Sequence, residues 1–328
     1  MTSTSTTDLT APPAPRAGSR WLSPILLANL VAEVGIVVTG GLVRVTGSGL
    51  GCPTWPECVD GSITPTVEQA EGFHKYIEFG NRTLTGVLGL LALATVLAVW
   101  RWAPRRAMKV LAVVVLAGVV GQAVLGGFTV LLGLHPATVA AHFLVSMGLV
   151  VASSYLWFAR HETASPARPL VPPLVTRLAW ATSGVGFVVL ALGTVVTGSG
   201  PHSGDADEPA RFGFDARTVS WVHADVVMLF LGLVVATWLA ARLTTSDAVR
   251  GPGRAWLVVL GVSLAQGLVG YVQYFTDLPE ALVIAHMLGA TLLVVALTHG
   301  VLALRSRDGS EPPAGVDSPV RPGSRPGG

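Results

Sequence analysis

Charge is scarce in this chain. Only 12% of its 328 residues are Asp, Glu, Lys or Arg, against roughly 25% in a soluble domain. So little charge cannot cover a water-facing globular surface, and a net charge of +2 is too small for a nucleic-acid binder. Cysteine is nearly absent: only Cys52 and Cys58 are present. Two cysteines cannot staple a disulfide-rich scaffold or build a four-thiolate zinc centre. They do not stand in the CxxCH arrangement of covalently attached haem either. What is abundant is apolar residues, at 51%. The composition is that of an integral membrane protein.

Two polar segments frame the apolar part. Residues 1–20, "MTSTSTTDLTAPPAPRAGSR", and residues 305–328 are rich in Ser, Thr, Pro and Gly, and both are expected to be disordered cytoplasmic tails. The first does not read as a signal peptide, because no short apolar core with a cleavage site follows. Between them lie eight apolar stretches, at about 22–44, 76–100, 108–132, 138–159, 174–197, 219–241, 255–275 and 281–304. Each is close to the ~20 residues that cross the hydrocarbon as a helix, and none alternates like a strand. The fold class expected is all-α, a polytopic protein of the cell membrane with eight transmembrane helices.

The connections alternate in charge. Arg16 and Arg20, "RWAPRRAMK" (101–109), Arg160 with Arg168 and Arg177, Arg242 with Arg250 and Arg254, and Arg305 with Arg307 fall at every second connection. The others carry Glu57, Asp60, Glu68 and Glu71, then Asp205, Asp207 and Glu208, then Asp277 and Glu280. The positive-inside rule puts both termini in the cytoplasm.

The chain also repeats itself. "GQAVLGGFTVLLGLHPATVAAHFLVSMGLV" (121–150) aligns with "AQGLVGYVQYFTDLPEALVIAHMLGATLLV" (265–294), matching Gln122 with Gln266, Gly126 with Gly270 and His142 with His286. "VTGSG" stands at both 45–49 and 196–200. A period of four spans keeps both copies in one orientation. The expected architecture is two parallel-repeat four-helix bundles, residues 21–160 and 161–304.

Ionisable groups inside spans are functional candidates by default. His142, His223 and His286 each lie about five residues into a span that enters from outside, and Glu78 and Asn81 occupy the same depth in the second span. Two imidazoles at one depth on alternate helices, His223 and His286, are placed to grip one haem iron. Structural histidines bonded across helices are the plainer reading, and zinc would call for more ligands nearby. The first bundle keeps His142 but has Asn81 where the second has His223, so a haem there would be held from one side. His74 shares a helix face with Glu78 and Asn81; it is a raised ligand, a propionate partner or a water-facing side chain. Glu78 is a proton-handling carboxylate or the salt-bridge partner of Arg82. Arg44 is a propionate clamp or an interfacial anchor. His202 follows the second "VTGSG" and is a possible lining residue. Cys52 and Cys58 form a structural staple or a redox-active pair at the mouth of the first bundle.

The segments "GGLVRVTGSGLGCPTWPEC", "HKYIEFGNRTLTG", "LGGFTVLLGLHPATVAAHF", "VTGSGPHSGD", "VHADVVML" and "AHMLGATLLV" resemble the signature segments of the haem A synthase family, across roughly residues 22–304. The resemblance implies two four-helix bundles, with haem b on His223 and His286 in the second. It implies a substrate site for haem O in the first, with Glu78 catalytic and His142 on the substrate iron. The activity implied is oxidation of the C8 methyl group of haem O to a formyl group with water as oxygen source, electrons leaving through haem b to a membrane acceptor. The resemblance also links the Cys52–Cys58 pair to activity or to a disulfide, and implies a partnership with haem O synthase. The chain departs from the family twice. Many members have histidine where Asn81 stands, and many have a second cysteine pair in the later outer loop, where 198–218 has none. Two rival functions are a two-haem cytochrome relaying electrons in quinone chemistry and a transporter built of parallel repeats. A relay would keep two strong ligands on both haems, and a transporter would favour broken helices with polar groups at the midplane.

Overall fold

The computed structural model describes residues 19–67, 69–202, 204–205, 210–245 and 249–307. The expected tails at 1–18 and 308–328, and the loop charges Glu68, Asp207 and Glu208, lie outside the described residues. A short 3₁₀ turn at Ser19–Trp21 leads into α1 (Leu22–Val45), and α2 (His74–Trp102), α3 (Arg106–Leu131) and α4 (Pro136–Phe158) follow. Then come α5 (Pro173–Ser199), α6 (Ala216–Thr244), α7 (Gly251–Phe275) and α8 (Glu280–Leu302). Helices of 23–29 residues run about 34–44 Å at 1.5 Å per residue, longer than a hydrocarbon core of about 30 Å. All eight are apolar enough to cross a membrane, and each span of the sequence reading falls on one of them. Leu90, Leu97, Trp100, Leu243 and Phe275 point outward, more than half exposed, as lipid-facing side chains do. The protein is a multi-pass membrane protein of the cell membrane.

Proline marks the helix starts rather than their interiors. Pro136 and Pro173 open α4 and α5, and Pro252 falls in the first turn of α7, where the missing N–H breaks no intrahelical bond. Asp215 caps α6 by accepting the backbone N–H of Thr218 at 2.8 Å.

Helices α1–α4 contact one another in a ring, α1 with α2, α2 with α3, α3 with α4 and α4 with α1; α5–α8 do the same. Each ring has its own apolar core. Leu26, Ala92, Met108, Val115 and Leu156 lie in the first, and Phe230, Val234, Trp256 and Val259 in the second. A third cluster, with Val37, Met147, Val150, Leu190 and Val294, joins the two along α1, α4, α5 and α8.

Two connections mirror each other 144 residues apart. Between α3 and α4, Gly133 and Leu134 take φ of 59° and 55°; between α7 and α8, Asp277 and Leu278 take 60° and 58°. Leu134 N donates to Thr129 O at 2.9 Å and Leu278 N to Gln273 O at 2.8 Å. Left-handed backbone costs a leucine about 1–2 kcal/mol, so the same strained turn is held at both places.

At the basic end of the molecule a small clasp spans the halves. Arg168–Pro169 (β1) pairs antiparallel with Arg305–Ser306 (β2). Glu162 bonds Arg105 and lies 3.4 Å from Arg305 and 3.7 Å from Arg307. Tyr155 Oη accepts from Arg105 at 2.7 Å and from Arg305 at 3.2 Å. Residues 305–307, expected in the tail, are thus built into the fold. The sequence reading saw only their polarity, and not the acidic and main-chain partners waiting at 162–170.

Candidate functional site

Three histidines share one construction. His142 on α4 lies against Gly126 of α3, His223 on α6 against Gly193 of α5, and His286 on α8 against Gly270 of α7. A Cβ on those glycines would stand 3.3, 3.4 and 3.3 Å from the imidazole Cε1, so at Gly126 and Gly270 a larger residue would press on the ring, and at Gly193 it would just touch it. Gln122 Nε2 donates to the carbonyl of His142 at 2.8 Å, and Gln266 Nε2 to that of His286 at 2.8 Å. These bonds fix the helix turn that carries each ring.

All three imidazoles also lack something. The Nδ1 atoms of His142, His223 and His286 are buried without a hydrogen-bond partner, and no other histidine among the described residues shows this. Buried polar atoms are normally paired. His223 on α6 and His286 on α8 stand on helices that face each other across the second ring. His223 also has the main chain of Val189 as a hydrogen-bond partner, the kind of bond that orients a ligating imidazole. Two imidazoles on facing helices of one bundle suit axial ligation of a haem iron. Among the described residues no cluster of three or more His, Cys, Asp or Glu could hold a bare metal ion.

The fourth quadrant differs. Asn81 Oδ1 accepts from Thr39 Oγ1 at 2.7 Å, so α1 and α2 meet through an amide and a hydroxyl rather than through imidazole and glycine. Glu78, one turn nearer the outer end, is buried. Its Oε1 takes Arg82 Nη2 at 2.6 Å and Nε at 3.1 Å, and its Oε2 takes the N–H of Cys52 at 2.7 Å. Arg82 also donates to the carbonyls of Cys52 at 2.7 Å, Thr54 at 3.0 Å and Glu57 at 3.1 Å. The salt-bridge reading of Glu78 therefore holds, and the pair does more than link two helical neighbours: it moulds the loop 52–58 onto α2. Cys52 and Cys58 are joined in a disulfide, and both residues are fully buried. Gly51 comes so close to the start of α2 that a Cβ would sit 2.4 Å from His74 O, and Trp55 packs its ring on Gly127 of α3. The loop thus covers the mouth of the first ring at the end where α2 begins.

Arg44 reaches across to the main chain of the other half. Its Nη2 donates to Thr197 O at 2.9 Å and its Nε to His202 O at 2.5 Å, both in the second "VTGSGPH" segment. Gly49 N donates to Gly204 O at 2.9 Å beside it, so the two copies of the motif clasp each other across the halves. His74 is exposed and bonds Ser48 Oγ through Nδ1 at 2.8 Å. His202 Nε2 bonds Leu278 O at 3.0 Å.

The sequence reading passed over Glu33 and Asn29. Both are 1% exposed in the middle of α1. The signal was available, since Glu33 is the only carboxylate in the first span and intramembrane carboxylates are rare.

The comparisons agree with the geometry. Residues 23–202 match the family described as cytochrome oxidase assembly protein. A haem A synthase of Lysinibacillus sphaericus is 26% identical over 303 residues, 87% of this chain and 95% of that protein. One from Geobacillus kaustophilus is 27% identical over 308 residues, 85% of this chain and 90% of that protein. One from Bacillus cereus is 25% identical over 318 residues, 92% and 98% of the two chains. With more than half of its length matched by the family, and nearly all of these relatives' length covered, this chain belongs to the cytochrome oxidase assembly proteins, the family of the haem A synthases.

Proposed function

We propose that this protein is a membrane oxidoreductase that converts haem O to haem A, oxidising the C8 methyl group to a formyl group with water as oxygen source. The stoichiometry is R–CH₃ + H₂O → R–CHO + 4 e⁻ + 4 H⁺, which requires both an electron outlet and a proton outlet. The observation that carries the reading is the asymmetry of the two halves. One offers two imidazoles set on glycines, His223 and His286; the other offers His142 alone, with Asn81 turned to Thr39. A pure electron relay has no use for a half with one strong ligand.

His223 and His286 would hold haem b, which when bound supplies a one-electron redox centre. His142 anchors the iron of the substrate haem O, steadied by Gln122 on its backbone carbonyl. Glu78 stands one helical turn from Asn81 and handles protons at the edge of the substrate site. Arg82 and the Cys52 N–H fix its two oxygens, and the disulfide loop keeps bulk water from that edge. The basic connections face the cytoplasm, which puts the disulfide loop and the histidine level near the outer surface. Haem O synthase is the partner that supplies the substrate, and the electrons pass to a membrane acceptor.

Haem extraction from the purified protein tests this directly. Haem b together with haem O or haem A is expected. Two haem b per chain would instead support the relay, and a colourless protein would sink both. His223→Ala is expected to lose haem b. Glu78→Gln is expected to keep haem b and stop formyl production; full activity in that variant removes Glu78 from the chemistry.

A further inference from the structure

Glu33 has no place in the mechanism above. It lies midway along α1 and exposes 1% of its surface, and its Oε1 has no hydrogen-bond partner among the described residues. It sits on the stripe Leu22, Ile25, Leu26, Asn29, Glu33 and Ile36, whose apolar members pack into the core of the first ring, so the carboxyl points inward and not to lipid. One turn further towards the basic end, Asn29 donates to Ser153 Oγ of α4 at 3.0 Å while its own Oδ1 is unpaired. From α2, Thr95 lies between the core residues Ala92 and Val99, wholly buried, with its hydroxyl also unpaired. A strip of underbonded polar groups therefore runs through an otherwise apolar core. On the helices packed against α1, the titratable side chains nearest this level are Glu78 and Arg82 of α2, His142 and Tyr155 of α4, and His286 and His299 of α8. Each lies five or more residues, about 7 Å or more of rise, from the middle of its helix, where Glu33 stands in its own, so Glu33 has no counter-charge at its own depth.

An ionised carboxylate with no partner in such surroundings costs many kcal/mol, whereas a carboxylic acid does not. We propose that Glu33 is a proton-carrying site: a neutral, exchangeable carboxylic acid that, with Asn29, Ser153 and Thr95, forms an inward proton relay beneath the substrate site. Its position suits the task. Along α1 it stands about 9 Å below Thr39, which holds Asn81, and about 6 Å above Asn29. The Oε–H passes its proton to the Asn29–Ser153 side, and the carboxylate regains one from the substrate side, so the group is unchanged over the cycle. That these are the protons released by methyl oxidation rests on the haem O reading; the proton site itself does not.

The test uses the full-length purified protein. Dicyclohexylcarbodiimide, an apolar reagent selective for protonated carboxyl groups, is expected to modify Glu33, mapped by peptide mass. Infrared difference spectra are expected to show a carboxylic-acid carbonyl band that shifts in D₂O and is missing in Glu33→Gln, a variant of nearly the same shape. In the same variant, formyl formation is expected to slow at least about tenfold with haem b content unchanged. Failure to modify Glu33, or a band insensitive to D₂O, overturns the proton site. An exchanging Glu33 whose Gln variant makes haem A at the normal rate overturns the relay. A protein that makes no haem A but has an exchanging Glu33 overturns the functional reading and leaves the proton site standing.

Discussion

The Glu78–Arg82 pair allows a prediction worked from distances. In Glu78→Gln the acceptor towards Arg82 or towards Cys52 must become an NH₂ group, which sets donor against donor. The three bonds at stake measure 2.6, 3.1 and 2.7 Å, and two of them involve both charges. Hydrogen bonds to charged groups are worth about 1.5–3 kcal/mol, and breaking a buried pair costs about 3–5. Arg82 keeps three carbonyl acceptors and its side chain is 21% exposed, which lowers the expectation to about 2–4 kcal/mol. Arg82→Gln should cost a similar amount. Because each single change strands the other partner, the double variant is expected to fall short of the sum, with a coupling of about 1–3 kcal/mol. Reversible unfolding in mixed micelles, followed by circular dichroism, measures all three. The Cys52–Cys58 bond should also be reduced faster in both single variants, since the pair holds that loop on α2. Additivity within about 0.5 kcal/mol, or unchanged reduction rates, would refute the claim that these two residues act as one unit.

Other consequences are as specific. Arg44→Leu removes the two bonds its guanidinium makes to main-chain carbonyls of the other half and is expected to lose about 2–4 kcal/mol in the same unfolding assay. Gly270→Val pushes a side chain into His286 Cε1, where even a Cβ would stand at 3.3 Å; haem b affinity is expected to fall about 10–100-fold with helix content unchanged, read by haem titration and far-ultraviolet spectra. Cys52→Ser opens a seven-residue loop, residues 52–58, and is expected to cost about 2 kcal/mol of stability by the loop-entropy relation.

Much of this architecture can be read from the chain because a bilayer imposes one simple demand. Every span must be apolar over about 20 residues, so the eight helices stand out even though their ends shift by up to about one turn. α6 begins at Ala216 and ends at Thr244 because its ends continue past the apolar stretch into polar residues. His142, His223 and His286 were visible as exceptions within apolar runs. The glycines against them were not, because a glycine has no side chain to announce which helix will face it. The partners of Arg44 were hidden for a related reason. Its acceptors are main-chain carbonyls some 150 residues away, and carbonyls carry no sequence signature. Glu33 is the opposite case, a polar residue that a stricter search for intramembrane charge would have found. Arg82 was noticed only as a helical neighbour of Glu78, since its three loop carbonyls belong to residues whose side chains say nothing about them.

The join between the two rings is pinned at both ends. Near the disulfide-bearing side Arg44 and Gly49 fasten it to Thr197, His202 and Gly204; on the opposite side Arg105 bonds Glu162 and Tyr155 bonds Arg305. Two bodies riveted top and bottom cannot tilt open first to one aqueous compartment and then to the other. If the substrate proposed above is right, that bulky, water-shunning molecule would pass sideways, slipping between helices straight from the surrounding lipid and returning there when finished.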